Sequence, residues 1–315
     1  LCDPSVTEVI PHIPIDPPTV CMSLGPNDGP MVGKEGNSAT VAMIRDFIEK
    51  EVETNVSLRV TYEKPPGRFQ EACQVYGRGE LQLGILLENM RRAGFELCVG
   101  APTVVMKEGP NKEILEPLEE LVLECAMAFQ GRVLDKLAER KADLIDMVTL
   151  GNRVKMTWHV TTRGLIGYRQ EFLSDTEGTG VFNHLFHSYV PFKGDIERAQ
   201  DKKGAMIALS EGITTAFAID ALQSRGTFYI GAGVPVYAGM VVGLSCKAGD
   251  VEVNPAKMKQ LSNVRNTGSE TKAVLIPPII RTLETMIADV RDDELIEITT
   301  KSLRVRKKEL DAAER

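Results

Sequence analysis

No run of 18 or more apolar residues occurs anywhere in this chain, so no segment of it is expected to span a membrane as a helix. A signal peptide is missing too: the chain opens Leu1-Cys2-Asp3-Pro4, polar and Pro-rich. There is no initiator Met, and an excised or processed piece of a longer protein is the expectation. The six cysteines include no C-x-x-C pair and the four histidines no ligand-spaced cluster, which argues against a zinc site. Scattered thiols of this kind fit a reducing, cytosol-like compartment, a cytoplasm or an organelle stroma. There is no G-x-S-x-G nucleophile turn. The stretch Gly25–Glu35 only imitates a phosphate-binding loop. Gly33-Lys34 is followed by Glu35 where a hydroxyl must ligate magnesium, and Asp28 stands where the first Gly is needed. Gly77/Gly79 and Gly231/Gly233 lack the third Gly of a dinucleotide fingerprint. These absences leave no catalytic constellation, and the chain is expected not to be an enzyme.

What is present is patterned. With 315 residues, 43% of them hydrophobic, the chain has material for two or three domains with real cores. Two Gly/Arg turns each join a strand pattern to an amphipathic helix: Gly77-Arg78-Gly79-Glu80 and Arg163-Gly164-Leu165-Ile166-Gly167. Their arginines lie 163 − 78 = 85 residues apart, the length of one small two-layer unit. The patterns around them agree. Residues 18–25, 56–63, 68–76 and 95–106 read as strands. Between them fall a helix with Val41, Ile44, Phe47, Ile48 and Val52 on one face, capped by Asn37 or Ser38, and a helix over 80–93 with Leu83, Leu86, Leu87 and Met90 inward, closed by Gly94. That order is βαββαβ, the ferredoxin-like arrangement. It recurs as strands 117–126, 143–149, 153–161 and 179–190 with helices 128–141 and 165–174. Cys73, Cys98 and Cys125 fall inside apolar strand patterns, as buried small hydrophobes do.

The expected fold is therefore α+β: two tandem ferredoxin-like domains and a mixed, β-rich C-terminal domain. The divisions fall at 1–16 (a linker or the tail of a preceding domain), 17–106, 107–190 and 191–315. The last part is Gly-rich, with strands expected at 204–210, 227–231 and 235–246, helices at 213–224 and after Pro277-Pro278, and a final hairpin of 294–299 and 302–307.

Charge is uneven. The net charge is −7, yet residues 257–272 carry Lys257, Lys259, Arg265 and Lys272 against Glu270 alone, and residues 301–308 carry five cations and no anion. An acidic chain with two basic patches near one end suggests a surface that faces a polyanion. Lys257, Lys259, Ser262, Asn263, Arg265 and Asn266 are the residue types that hold phosphate and 2′-hydroxyl groups. Alternation in the last strand puts Arg304 and Arg306 on one face, so they join the candidate RNA contacts. Arg78, Arg163 and Arg169, in or beside the two turns, are further candidates. From charge alone, a solvated face or a protein-interaction module with incidental basic patches stays open.

Gly77-Arg78-Gly79-Glu80-Leu81, Glu88-Asn89-Met90-Arg91-Arg92-Ala93-Gly94 and Arg163-Gly164-Leu165-Ile166-Gly167-Tyr168-Arg169-Gln170-Glu171-Phe172 also resemble the C-terminal half of the BipA/TypA translational GTPases, over nearly the whole chain. The resemblance continues through Phe186-His187-Ser188-Tyr189 and Asp292-Asp293-Glu294-Leu295. It implies the third and fifth domains of an elongation-factor-G-like protein, then a family-specific C-terminal domain. It further implies a ribosome partner (rRNA, ribosomal proteins and the acceptor end of A-site tRNA), a monomer without DNA or membrane partners, and a role in ribosome assembly and in growth under stress, including cold. GTP and magnesium would belong to a GTPase domain outside these residues, leaving no cofactor here. Residues 24–33 depart from the family's pattern, which leaves the role of that loop open.

Overall fold

The computed structural model describes residues 16–62, 73–196, 203–258 and 274–315. In the first unit, strands Val20–Pro26, Arg59–Thr61, Cys73–Gly77 and Phe95–Gly100 form an antiparallel sheet in which the fourth strand lies beside the first, then the third, then the second. Helices Val41–Thr54 and Glu80–Arg92 cover one face. Ile44 and Ile48 are buried from the first helix, with Val41, Phe47 and Val52 packed partly behind them. The cap is Thr40 and not Asn37 or Ser38: its extended backbone lets the side chain accept the Met43 amide at 3.3 Å. In the second helix Leu83, Leu86, Leu87 and Met90 are buried, each side chain contributing about 1.5–3 kcal/mol by leaving water. The chain leaves this helix through Gly94 at φ 94°, a left-handed turn that suits glycine.

The second unit repeats the plan with longer strands: Ile114–Ala126, Asp143–Leu150, Arg153–Thr161 and Val181–Pro191, again ordered fourth, first, third, second. Helix Gln130–Glu139 and two short helices, Thr162–Leu165 and Tyr168–Asp175, pack Val133, Leu137, Leu165 and Phe172 over Leu121, Leu123, Val154, Met156 and Trp158 of the sheet. A single helix was expected over 165–174. Gly167, at φ 72°, breaks it and turns its own amide outward.

The third region builds a four-stranded sheet, ordered Gly226–Phe228, Val241–Ser245, Ala205–Ala208 and Val251–Val253, beside a two-stranded pair of Gly212–Ile213 with Pro235–Val236. The strand expected over 235–246 is cut in two at Gly239, which takes φ 86°. Helix Leu283–Asp289 packs against helix Glu80–Arg92. The final hairpin, Glu294–Ile298 with Leu303–Lys307, does not join the sheet of its own region. It extends the first unit's sheet beyond Phe95–Gly100, with Leu295 opposite Gly100 and Ile298 opposite Leu97. Cys73, Cys98 and Cys125 are buried, as their strand patterns suggested. Among the described residues no helix is long and apolar enough to cross a membrane.

Candidate nucleic-acid interface

Of the two basic stretches, the one at 301–308 is described throughout. In Leu303–Lys307, Arg304 and Arg306 do share a face, but that face is interior: they are 7% and 2% exposed. Cross-strand pairing puts Glu297, itself 0% exposed, opposite Arg304. Its carboxylate lies 3.3 Å from Arg304 Nε and 3.2 Å from Arg306 Nε. Glu35 takes Arg304 Nη2 at 2.9 Å, and Asp28 takes Arg306. Lys307 is buried as well, its Nζ 2.6 Å from both Asp250 and Asp293 and 3.1 Å from Glu294. Three of the five cations of 301–308 are therefore neutralised inside the protein. The expectation that Arg304 and Arg306 face RNA is corrected, because strand alternation assigns a face but not what covers it. An acidic residue within the apolar run Glu294–Ile298 was the one sequence signal for this, since a buried carboxylate requires a cation.

What covers the face is the loop that imitates a phosphate-binding site. Residues 25–36 strap the hairpin down. The Glu35 carboxylate accepts from Thr299 Oγ1 at 2.7 Å and from Ser302 Oγ, and its backbone oxygen accepts from Thr300. Although burial opposes it, these hydroxyls and Arg304 hold the Glu35 carboxyl below its ordinary range. Amides that could have cradled an anion do so internally: Gly33 and Glu35 donate to the two oxygens of buried Glu96 at 2.8 and 3.2 Å. Gly29 passes so close to Glu297 that a Cβ would lie 1.9 Å from Oε1. The loop's carboxylates and glycine serve the buried arginines.

Of the other basic stretch, 257–272, only the first two residues are described. Lys257 is exposed, and its carbonyl accepts from Thr215 Oγ1 at 2.6 Å, which ties the start of the stretch to the cap of helix Ala216–Leu222. Lys259, Ser262, Asn263, Arg265, Asn266 and Lys272 lie outside the described residues. Met258, beside Lys257, is 78% exposed, and beyond the stretch Val274 is 81% and Ile280 88% exposed.

The three turn arginines also part company. Arg78 is exposed on its turn, with its amide bonded to Gln82 Oε1 at 2.8 Å. Arg163 is committed internally, 2.8 Å from the fully buried Glu116, 2.9 Å from the Gly194 carbonyl and stacked over Phe192. Arg169 is half-buried beside Phe182. Arg169 lines a cavity of about 70 Å³ where the two Gly/Arg turns meet, together with Gly79, Glu80, Glu119, Phe182, His184 and Glu284. Here the carboxylate of Glu80, from the first turn, faces the amide freed by Gly167 in the second at 3.4 Å. Burial pushes the Glu80 carboxyl up to about 7, despite that amide. Glu119 accepts from Thr162 Oγ1 at 2.6 Å and grips His184, and that bond raises the imidazole's affinity for its proton. The sequence marks both turns but not that they touch.

Two known families match parts of this chain. Residues 203–312 match the TypA/BipA C-terminal domain, and residues 113–200 match the elongation factor G C-terminus. Proteins named large ribosomal subunit assembly factor BipA are similar over almost the whole chain. The Salmonella typhimurium protein is 39% identical over 98% of it, that of Escherichia coli K12 40% over 98%, and that of Synechocystis 39% over 96%. This chain covers 50% of each of these relatives, about half their length. A solved Thermus thermophilus structure overlaps 58% of this chain and 42% of its own, at 14% identity and TM-score 0.35, too slight a likeness to argue from.

Proposed function

Since this chain belongs to the TypA/BipA family, we propose that it is the ribosome-binding part of a translational GTPase that acts in large-subunit assembly and in growth under stress, including cold. The observation that carries this is 39–40% identity, over 96–98% of the chain, to proteins named large ribosomal subunit assembly factors. GTP and magnesium belong to the part of those relatives that this chain does not span. The basic stretch 257–272 supplies the RNA contacts: Lys257, Lys259, Arg265 and Lys272 meet phosphates, and Ser262, Asn263 and Asn266 meet 2′-hydroxyls of rRNA or of the acceptor end of A-site tRNA. Lys257 is exposed and held at its backbone, which supports its part in such a contact. Arg78 is the one turn arginine that stands fully at the surface, and it adds a second point of contact. The chain acts as a monomer on RNA, not on DNA or membrane.

The test is co-sedimentation of the 315-residue chain with large ribosomal subunits across a salt series. Four or five phosphate contacts give a log–log slope of roughly −3 to −4, and the change of Lys257, Lys259 and Arg265 to Ala reduces it by about 2–3. A second reading rests on exposed Met258 within the stretch and on exposed Val274 and Ile280 beyond it, apolar residues of the kind a protein interface covers. Binding indifferent both to salt and to the triple change would select that reading and end the first.

A further inference from the structure

We propose that Glu120, His159 and His187 form a binding site for a divalent transition-metal ion of the zinc type, on the open face of the second unit's sheet. One ligand atom from each residue lies within 4.8 Å of the others. The imidazole rings stand with centroids 4.5 Å apart, tilted by 46°. Sequence spacing hides the group: the residues are 159 − 120 = 39 and 187 − 159 = 28 positions apart, on three different strands.

The ladder brings them together. Glu120 is on the first strand of the unit, with His159 directly opposite on one side and Leu185 on the other. Beyond Leu185 the register slips between Phe186 and Ser188, so His187 is the extra residue of a bulge. A bulge re-aims its side chain, and this one turns His187 toward His159 across the strand that carries Glu120. The Nδ1 of His187 is bonded to Ser188 Oγ at 2.9 Å, the kind of outer partner that orients a ligating imidazole. Zinc bonds of about 2.0–2.1 Å place tetrahedral ligand atoms about 3.3 Å apart. The site therefore closes on an ion by side-chain rotation, with the strands left in place. The opposite neighbour of His159, Asp143, is taken by Lys193 at 2.5 Å, so water fills the fourth position. Two imidazoles and one carboxylate suit zinc, nickel or copper, whereas magnesium and calcium call for oxygen alone. An ion held there ties three adjacent strands together and raises the thermal stability of the protein.

The experiment uses the full 315-residue chain carrying Cys246→Ser, which removes an exposed competing thiol. Zinc is titrated against a chromophoric zinc indicator, cobalt is added to read coordination by visible absorption, and unfolding temperature is followed with and without zinc. One equivalent of zinc is expected, with a rise in melting temperature and no response to magnesium. His159→Ala and His187→Ala each weaken binding tenfold or more, and Glu120→Gln severalfold. Glu124→Gln, on the same strand but paired with Arg153, changes nothing. If His159→Ala fails to fold, His159→Gln and the cobalt spectrum of His187→Ala, a change at an exposed residue, decide. Stoichiometric zinc binding that survives the double histidine change overturns the proposal, as does zinc binding by the parent no tighter than by that double variant.

Discussion

The two βαββαβ units share strand order and helix placement but treat their second sheet face in opposite ways. In the first, the final hairpin adds two strands beside Phe95–Gly100, and the strap 25–36 covers the face. Burial there admits charge only in a closed network: Glu297, Arg304 and Arg306 with Glu35 and Asp28. In the second unit nothing comparable covers the face among the described residues. Strand Asp143–Leu150 is exposed along its whole length, and Leu185 is 70% exposed. The same topology yields a sealed electrostatic core or an open surface, according to what the rest of the chain lays across it.

The sharpest way to break this contrast is Glu297→Ala. It removes the buried carboxylate that two guanidinium groups share, leaving them only Glu35 and Asp28, and should cost about 3–5 kcal/mol in urea unfolding. A loss below about 1 kcal/mol would mean that the network is hydrated, and the sealed face with it. Next comes a leucine on the helix-covered face of the first sheet's fourth strand, which sets the scale for a fully sealed site. Leu97→Ala, at a fully buried site, should cost about 2–5 kcal/mol.

A smaller effect tests the seam between the units. The Glu80 carboxyl binds its proton more tightly folded (about 7) than unfolded (near 4.5). Its contribution to stability is therefore whole below 4.5 and is lost as pH rises through about 7. His184, also raised when folded, acts in the same direction and is common to both proteins compared. Glu80→Gln keeps an acceptor for Gly167 and cannot ionise. It should stabilise the chain by about 1–2 kcal/mol at pH 8, the full shift being discounted for screening at a half-buried site, and should match the wild type at pH 4. Parallel pH curves would show that Glu80 is solvated. The smallest effect is on the open face of the second sheet: Leu185→Ala should change stability by less than about 0.5 kcal/mol. A large loss there would mean that the open face is covered in solution.

Periodicity carried most of the elements. Helix Glu80–Arg92 buries the four residues its spacing named, and Gly151 turns the hairpin of Asp143–Leu150 with Arg153–Thr161 at φ 62°. Local competition explains the misses. Thr40 displaced Asn37 and Ser38 as cap because it immediately precedes Val41, and Gly167 interrupts a pattern that reads as one helix. The candidate site was legible in part. Lys257 and Arg78 are exposed, as surface cations must be, whereas Arg163, Arg304 and Arg306 are held by Glu116, Glu297, Glu35 and Asp28. Those partners lie up to 306 − 28 = 278 positions away, beyond the reach of any local pattern.

By itself the sequence determined most of the strands and helices and that the βαββαβ order occurs twice, because alternation and helical spacing are properties of neighbours along the chain. Tertiary structure alone decided which charged faces meet water, that the hairpin completes the first sheet, and that Glu120, His159 and His187 converge. Those outcomes depend on what packs against a face, and the covering groups come from distant parts of the chain.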